Sequence, residues 1–523
     1  MEIPDPITDE GSNHVRLDSL ITLVFLGLVA VTFYKLVGFI HDDAFITLKY
    51  ARNLGEHGQL AWNLGEPGIE GYTSPLHVVL NAGLIRIGID PMTGARLIGF
   101  IGFGLMLVAG ALALRGLNAP AIGRVAILAG LAAPATIAWV WGGLEAPLVG
   151  GLIALGMVGG ILSARGNGSI RHAVLGSIAF GIAYLARPEA AVANFAMGLG
   201  ILLFAELPIR DRLLRFVAFG TISFAVLCGH LLFRYQAYGD VVPLTFHAKV
   251  GLETSVRLQN GVSYVLNSSA VAPVIMCATM ACVLMIILRK RLGPLSRIMG
   301  ITLLVQAMLL IWLGGDHMPW GRMMLPLLPA ASFLFLAILA DVNARWQQVM
   351  AYGIAGISAL ALLSAPYGRP DAAARVGSLV GAYLEQNLPE PSTIAVATAG
   401  STPFFAPRHM FIDTLGLNDP HIAKRENVPI RTRWQTEPGH GKGDGQYVMS
   451  RSPDIIIIGP AEGTTSDQAT HWFLTGLELS EMPQFQQCYE EVRASVKPSE
   501  LTVWSARTFS KPLELVYYQR TCD

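Results

Sequence analysis

Eleven apolar stretches run through the first two thirds of this chain, and no water-soluble core could absorb that many. They fall at about 19–40, 94–114, 121–142, 144–164, 172–186, 189–206, 213–234, 269–288, 298–314, 323–341 and 349–365. Such runs read as membrane-spanning helices, because the hydrocarbon core they must cross is about 30 Å thick. The charge content agrees: 14 % of the 523 residues are charged, against about 25 % in a soluble protein. Mean hydropathy is +0.49, and too few charges remain to cover a water-facing surface of this size. One further run, 74–89, contains His77, Asn81 and Arg86 and reads as lying along the interface rather than crossing. Lys+Arg and Asp+Glu both number 37, so no basic track for nucleic acid is expected. The expected fold class is an all-α polytopic membrane domain.

Orientation follows from the cations of the short loops. Arg115/Arg124, Arg165/Arg171, Arg210/Arg212/Arg215 and Arg289/Lys290/Arg291/Arg297 mark one set of loops as cytoplasmic. The alternate loops, 41–73, 143–145, 187–189, 235–268 and 315–322, then face outward with everything after 365. The N-terminus carries Glu2, Asp5, Asp9, Glu10 and Asp18 against Arg16. That charge is wrong for a signal peptide, so the first span is expected to be uncleaved. Residues 366–523 contain no spanning run, and short β-like runs at 393–398 and 454–458 suggest a small mixed α/β domain. Two domains are therefore expected: 1–365 in the membrane, with a first outer loop 41–93 carrying interfacial helices, and 366–523 outside it.

The outward loop ends hold most of the chemistry. His41-Asp42-Asp43 opens the first outer loop, where Asp is also a favoured helix cap. The loop continues with Arg52-Asn53, Trp62-Asn63 and Glu70-Gly71-Tyr72-Thr73-Ser74-Pro75. Later outward ends supply Gly143-Leu144-Glu145, Arg187-Pro188-Glu189, Tyr238-Gly239-Asp240 with Thr245, His247 and Lys249, and Gly315-Asp316-His317 with Arg322. Each alone reads as a cap or an interfacial anchor. All of them on one side of a membrane read as a functional site.

In this order and spacing the motifs resemble the polyprenyl-phosphate-sugar-dependent glycosyltransferases of the GT-C fold. Within them the chain looks closest to the bacterial terminal β-(1→2) arabinofuranosyltransferases and to relatives that glycosylate surface proteins. Asp42-Asp43-Ala44-Phe45-Ile46, Tyr50-Ala51-Arg52-Asn53, Glu70 to Leu76, and Ile412-Asp413 with Gly416-Leu417-Asn418-Asp419 carry the likeness alongside the outward ends above. His77 and His317 depart from it, standing where the family is expected to have aromatic residues.

The resemblance implies a bacterial inner-membrane enzyme with its active site and tail on the periplasmic side. The donor would be decaprenyl- or undecaprenyl-phosphate arabinofuranose, with mannose or another hexose as the alternative sugar. The acceptor would be a glycan or surface protein, and membrane lipids would be partners. Such a donor already has a good leaving group, so the reaction needs a carboxylate to take the acceptor's proton and cations to hold the phosphate. Asp42 is the expected base, with Asp43 second. Lys249, Arg187 and Arg322 are the expected phosphate ligands. Glu70, Tyr72, Thr73, Glu145, Glu189, Asp240, Thr245, His247, Asp316 and His317 are expected to contact substrate. One base without a protein nucleophile implies inversion at the anomeric carbon. The resemblance implies no definite cofactor and leaves a metal open, since Asp42, Asp43 and Glu145 could hold a divalent cation. A lipid-linked-sugar flippase is the competing reading, but transporters place polar groups at the bilayer midplane rather than at one face. A receptor would leave the acidic first loop without a role.

Cys488 and Cys522 are expected to form a disulfide, being the cysteines outside the apolar stretches and on the oxidising side. Cys228, Cys277 and Cys282 lie within apolar stretches. His14, His57, His172 and His440 have no assigned role, and Trp139, Trp141, Trp312 and Trp320 read as interfacial belt residues. The glycine-rich run 439–445 lacks the spacing of a phosphate-binding loop and reads as a loop near the acceptor.

Overall fold

The computed structural model describes residues 7–249, 253–289, 291–367, 370–389 and 391–522, and the side chains from residue 17 onward except that of Lys249. Every expected apolar run forms helix. Among the described residues, seven helices are long and apolar enough to cross a membrane: Leu17–Lys35, Pro91–Gly116, Ala146–Ala164, Ile209–Tyr238, Pro294–Leu313, Pro319–Asp341 and Ala344–Ser364. Two further candidates are bent pairs. Gly123–Leu131 and Pro134–Trp141 meet at 47°, Thr254–Ser268 and Pro273–Ile287 at 99°. Proline at the first turn of each second member lacks the N–H that a continuous helix would need. The two remaining runs form Ile170–Ala186 and Ala190–Phe204, of 17 and 15 residues. At 1.5 Å per residue these fall short of a straight crossing. The count is therefore seven, or nine with each bent pair taken as one span, where eleven were expected.

Lipid rather than water explains the outer surface. Leu20, Leu23, Phe224, Ile286, Leu304 and Leu363 all project outward from these helices. Between helices, small residues permit close approach. A Cβ on Gly102 would lie 2.3 Å from the Leu148 nitrogen, and one on Gly151 would lie 2.5 Å from the Gly102 oxygen. Helices Pro91–Gly116 and Ala146–Ala164 thus pack backbone against backbone, the usual solution where lipid supplies no hydrophobic drive.

The tail folds as the expected mixed α/β unit. Strands β1 (Thr393–Val396), β2 (Met410–Asp413), β3 (Ile455–Ile456), β4 (Tyr489–Val496) and β5 (Leu513–Arg520) form one sheet in the order β2-β1-β3-β5-β4. β1 runs parallel to both β2 and β3, with Ala395 opposite Ile412 on one side and Ile456 on the other. β5 is antiparallel to β3 and β4. Cys488 and Cys522 are joined in a disulfide at the β4–β5 edge, with Cα atoms 4.9 Å apart.

The first outer loop does not stand apart from this sheet. Its helices, Asp42–His57 and Pro75–Arg86, and the segment between them bury Ile46, Tyr50, Tyr72 and Val78 in one core with Leu379, Ile394, Phe411 and Tyr517 of the tail. The Asn63 amide mimics a strand edge, donating to the Phe411 carbonyl at 2.8 Å and accepting from its N–H at 3.2 Å. Lys49 lies buried between the Trp62 and Phe411 rings, 4.7 Å from each centroid. Loop and tail form a single layer across one end of the helices. Pro75–Arg86 has 12 residues, about 18 Å of helix, which is too short to cross.

Candidate active site

The first span ends at a turn whose geometry differs from the simplest expectation. His41, not an aspartate, is the N-cap of helix Asp42–His57, its Nδ1 accepting from the Asp43 N–H at 3.2 Å. Both aspartates occupy the first helical turn, where the positive end of the helix favours anions. The His41 N–H donates to the Gly142 carbonyl at 3.2 Å, tying this turn to the Gly143-Leu144-Glu145 segment.

The two aspartates have separate surroundings. Asp42 is buried and turns toward the tail, accepting from the Gly400 N–H at 3.2 Å, the Ser401 N–H at 2.8 Å and the Ser401 hydroxyl. Burial and the nearby Asp371 carboxylate push Asp42 up to about 6 against the pull of the Ser401 hydrogen bonds. Glycine is required at 400, because a Cβ there would lie 2.1 Å from the Asp42 carbonyl oxygen. The Asp43 side chain is 29 % exposed and lies 3.9 Å from His41 Nδ1. His41 Nε2 meets Asp371 of the tail at 3.3 Å.

A second cluster lies next to the first. Arg187 caps helix Ile170–Ala186, and Glu189 precedes helix Ala190–Phe204. The Arg187 guanidinium is held at 2.7 Å by Glu145 on one side and at 2.7 Å by Glu189 on the other. Burial would raise the Glu145 pKa, but Arg187, then Arg322 and His77, bring it below the usual carboxylate range. Arg322 forks onto Asp316 at 3.0 and 3.1 Å. Arg187, Glu189 and Arg322 line one narrow pocket of about 30 Å³ with Gln306, Leu309 and Leu310, enough for a water or two. Trp139 connects the clusters, 5.7 Å from the His41 ring and 5.9 Å from the Arg322 guanidinium. His77 is fully buried beside this group, and desolvation lowers it to about 4.

The remaining expected residues gather in a third group. Glu70 and Arg234 form a buried ion pair at 2.9 Å, and burial lifts Glu70 to about 7 with Arg234 acting against it. The Tyr72 and Tyr238 hydroxyls are 2.8 Å apart, and Thr73 is half-buried beside them. Asp240 accepts from Lys424 of the tail and pairs with His247, each at 2.9 Å. Thr245 is buried with its hydroxyl unpartnered among the described residues. Lys249 ends helix Leu244–Lys249, and its side chain lies outside the described residues. Asp413 closes β2 and accepts from the Leu415 and Asn418 N–H groups and the Asn418 amide. Burial raises it to about 6 against those bonds. Among the described residues no three His, Cys, Asp or Glu side chains converge as a metal site.

Several residues not expected at the site stand in these clusters, and Trp139 and Trp320, expected as interfacial belt residues, are buried instead. Trp139 bridges the two charged groups, and the His440 ring packs on His317 at 4.8 Å. His317 in turn lies 6.3 Å from His41. Ser401 and Asp371 reach the first turn from the tail. The outward position of Trp139 in the sequence was the available signal; nothing local marks the other three.

Residues 369–512 match a family described as a domain of unknown function, DUF8728. No curated protein matches the chain significantly. Among solved structures, ArnT from Cupriavidus metallidurans bound to undecaprenyl phosphate superposes with a TM-score of 0.50 at 15 % identity, over 75 % of this chain and 85 % of that one. The chain shares the fold of ArnT. Apo ArnT gives a TM-score of 0.48 at 14 % identity, over 78 % of this chain and 87 % of its own. The arabinosyltransferase EmbB from Mycobacterium smegmatis gives 0.36 at 17 % identity, over 74 % of this chain and 34 % of its own, too low to equate folds. In this fold the layer formed by loop and tail covers the ends of the helices where the charged clusters collect.

Proposed function

We propose that the protein is a membrane glycosyltransferase that moves a sugar, D-arabinofuranose, from a polyprenyl phosphate to an acceptor glycan or protein outside the cytoplasm, with inversion. The observation that carries this reading is the convergence of Arg187 and Arg322 on one pocket with leucines, next to the Asp42-Asp43 turn. Buried guanidiniums beside apolar walls suit a phosphate on a lipid tail. Their carboxylate partners Glu145, Glu189 and Asp316 hold the two guanidiniums in place by ion pairing. A bound phosphate would take over part of that pairing. The undecaprenyl phosphate in the ArnT structure supports the same class of donor. The arabinofuranosyl choice rests on the sequence motifs.

In the reaction the acceptor hydroxyl attacks the anomeric carbon while the bond to the phosphate oxygen breaks. The hydroxyl's proton passes to an aspartate, and the polyprenyl phosphate leaves with the bonding electrons. Asp42 is buried with its carboxylate bonded to Gly400 and Ser401, whereas the Asp43 side chain is 29 % exposed to an incoming acceptor. That contrast favours Asp43 as proton acceptor, with Asp42 holding the turn against the tail. The test is incubation of purified protein with synthetic polyprenyl-phosphate arabinofuranose and mannose, with mass spectrometry of released polyprenyl phosphate. Release that depends on protein and acceptor is the expected result. Absence of turnover with every donor sugar and acceptor would overturn the reading.

A further inference from the structure

A second cavity, of about 430 Å³, lies between helix Thr254–Ser268, the segment 314–321 and the tail turn at Glu437-Pro438. That volume is in the range of small-molecule sites. It lies back to back with the arginine pocket. Arg322 lines the arginine pocket, while Asp316, its ion-pair partner at 3.0 Å, lines this one.

Helix Thr254–Ser268 has two distinct faces. Leu258, Val262 and Leu266 are exposed at four-residue spacing, whereas Asn260, Ser263 and Asn267 line the cavity at spacings of three and four. The helix turns 99° from Pro273–Ile287, as an amphipathic helix in the membrane interface would. The Asn260, Ser263 and Asn267 side chains make no hydrogen bond among the described residues.

The opposite wall is held under backbone strain. Trp320 is buried at φ 64°, ψ 15°, a left-handed conformation rare for an aromatic residue and kept only where surroundings enforce it. Gly315 has φ 72°, and a Cβ there would lie 2.5 Å from the Tyr264 ring. The bend thus sets the Trp320 ring into the cavity wall, and Tyr264 of helix Thr254–Ser268 adds a second ring. No Lys or Arg lines the cavity, and its carboxylates, Asp316 and Glu437, repel a phosphate. Free amides and hydroxyls facing aromatic rings suit a neutral polyhydroxyl compound, with polar groups for its hydroxyls and ring faces for its C–H surface.

We infer that this cavity is a saccharide subsite in which the acceptor's sugar is bound, between the membrane domain and the tail. As an acceptor site it rests on the glycosyl-transfer reading; as a saccharide site it stands on its own lining. Glu437 and Pro438 of the tail line it together with the membrane-domain residues, so acceptor recognition needs both parts of the chain.

The test uses the full chain in nanodiscs. Binding of methyl α-D-arabinofuranoside, methyl α-D-mannoside and methyl β-D-galactoside is measured by saturation-transfer NMR, and binding of undecaprenyl phosphate by native mass spectrometry. Asn260→Leu and Asn267→Leu are the variants, with thermal unfolding to confirm the fold. At least one glycoside is expected to bind, with affinity at least tenfold lower in each variant and undecaprenyl phosphate binding unchanged. If no glycoside binds, or both variants bind it like wild type, the subsite is refuted and the donor reading stands on its lipid-phosphate result. If the variants instead lower phosphatidylglycerol binding alone, the cavity is a lipid-headgroup site and the inference fails. If a glycoside binds through Asn260 and Asn267 but undecaprenyl phosphate does not bind, the subsite stands and the donor reading falls.

Discussion

Gly400→Ala is the sharpest perturbation of the contact between the first outer loop and the tail. The added Cβ would lie 2.1 Å from the Asp42 carbonyl oxygen and 2.6 Å from its Oδ2. The nearer obstacle is backbone, so no rotamer change relieves it. Overpacking of this kind costs about 1–3 kcal/mol. Separation also weakens the bonds from Gly400 and Ser401 to a buried carboxylate, and hydrogen bonds to charged groups contribute about 1.5–3 kcal/mol each. Because the shift stretches rather than removes them, the sum is about 3–5 kcal/mol. For a cooperative unit of this size that lowers the melting temperature by roughly 10 °C. Gly83→Ala is the matched control. Gly83 lies within helix Pro75–Arg86, and a Cβ there meets nothing within 4 Å, so the change should stabilise by up to about 1 kcal/mol. Thermal unfolding of both variants in the same detergent, followed by tryptophan fluorescence, decides the matter. A Gly400→Ala transition within 1–2 °C of wild type, about the scatter of such a measurement, would show that loop and tail are not joined through Asp42.

Asp43→Asn should lower turnover by about 100-fold or more with unchanged melting temperature, as loss of a general base does, whereas Asp42→Asn should alter unfolding more than chemistry. The reverse pattern in the released-phosphate assay would return the base to Asp42. Arg187→Gln and Arg322→Gln should each raise the donor KM or lower kcat at least about tenfold, from loss of a charge-assisted bond of about 1.5–3 kcal/mol; wild-type kinetics in both would displace the phosphate site. Reducing Cys488–Cys522, which closes a separation of 34 residues, should destabilise the tail by about 3–4 kcal/mol, and thiol titration of the oxidised, denatured protein should find both cysteines unreactive. Although burial opposes it, the Lys424, Val242 and His247 bonds bring Asp240 down to about 2. Its folded value lies below its unfolded one, so its contribution is full above pH ~4 and lost as pH falls through ~2. Being 22 % exposed, it should contribute about 1–2 kcal/mol after solvent screening, and Asp240→Asn should remove that part of the acid-unfolding slope.

Some of this architecture was legible because hydropathy is local and additive. A run such as 94–114 is apolar whatever surrounds it, and lipid is the solvent that accepts it. The same holds for the change of character after 365 and for 74–89, whose His77, Asn81 and Arg86 keep it out of the bilayer core. The motifs also placed the charged residues at loop ends, and the structure gathers most of them at one end of the helices.

Pairing is different, because it depends on approach in space. Ser401 reaches Asp42 across 359 residues, and Arg187 reaches Glu145 across 42. Neither contact leaves a periodic or compositional trace. Whether an aspartate is a cap, a base or a docking point depends on which backbone comes within 3 Å of it, and here a missing Cβ at Gly400 makes that approach possible. The bend at 132–133 divided a span that continuous hydropathy had joined, and helix Thr254–Ser268 formed where an outward loop was expected. The residues alone determined a helical membrane protein with polar loop ends and an α/β tail. Tertiary structure decided that the first loop and the tail share one core, because buried apolar surface from Ile46, Tyr72, Leu379 and Phe411 is removed from water only when the two come together.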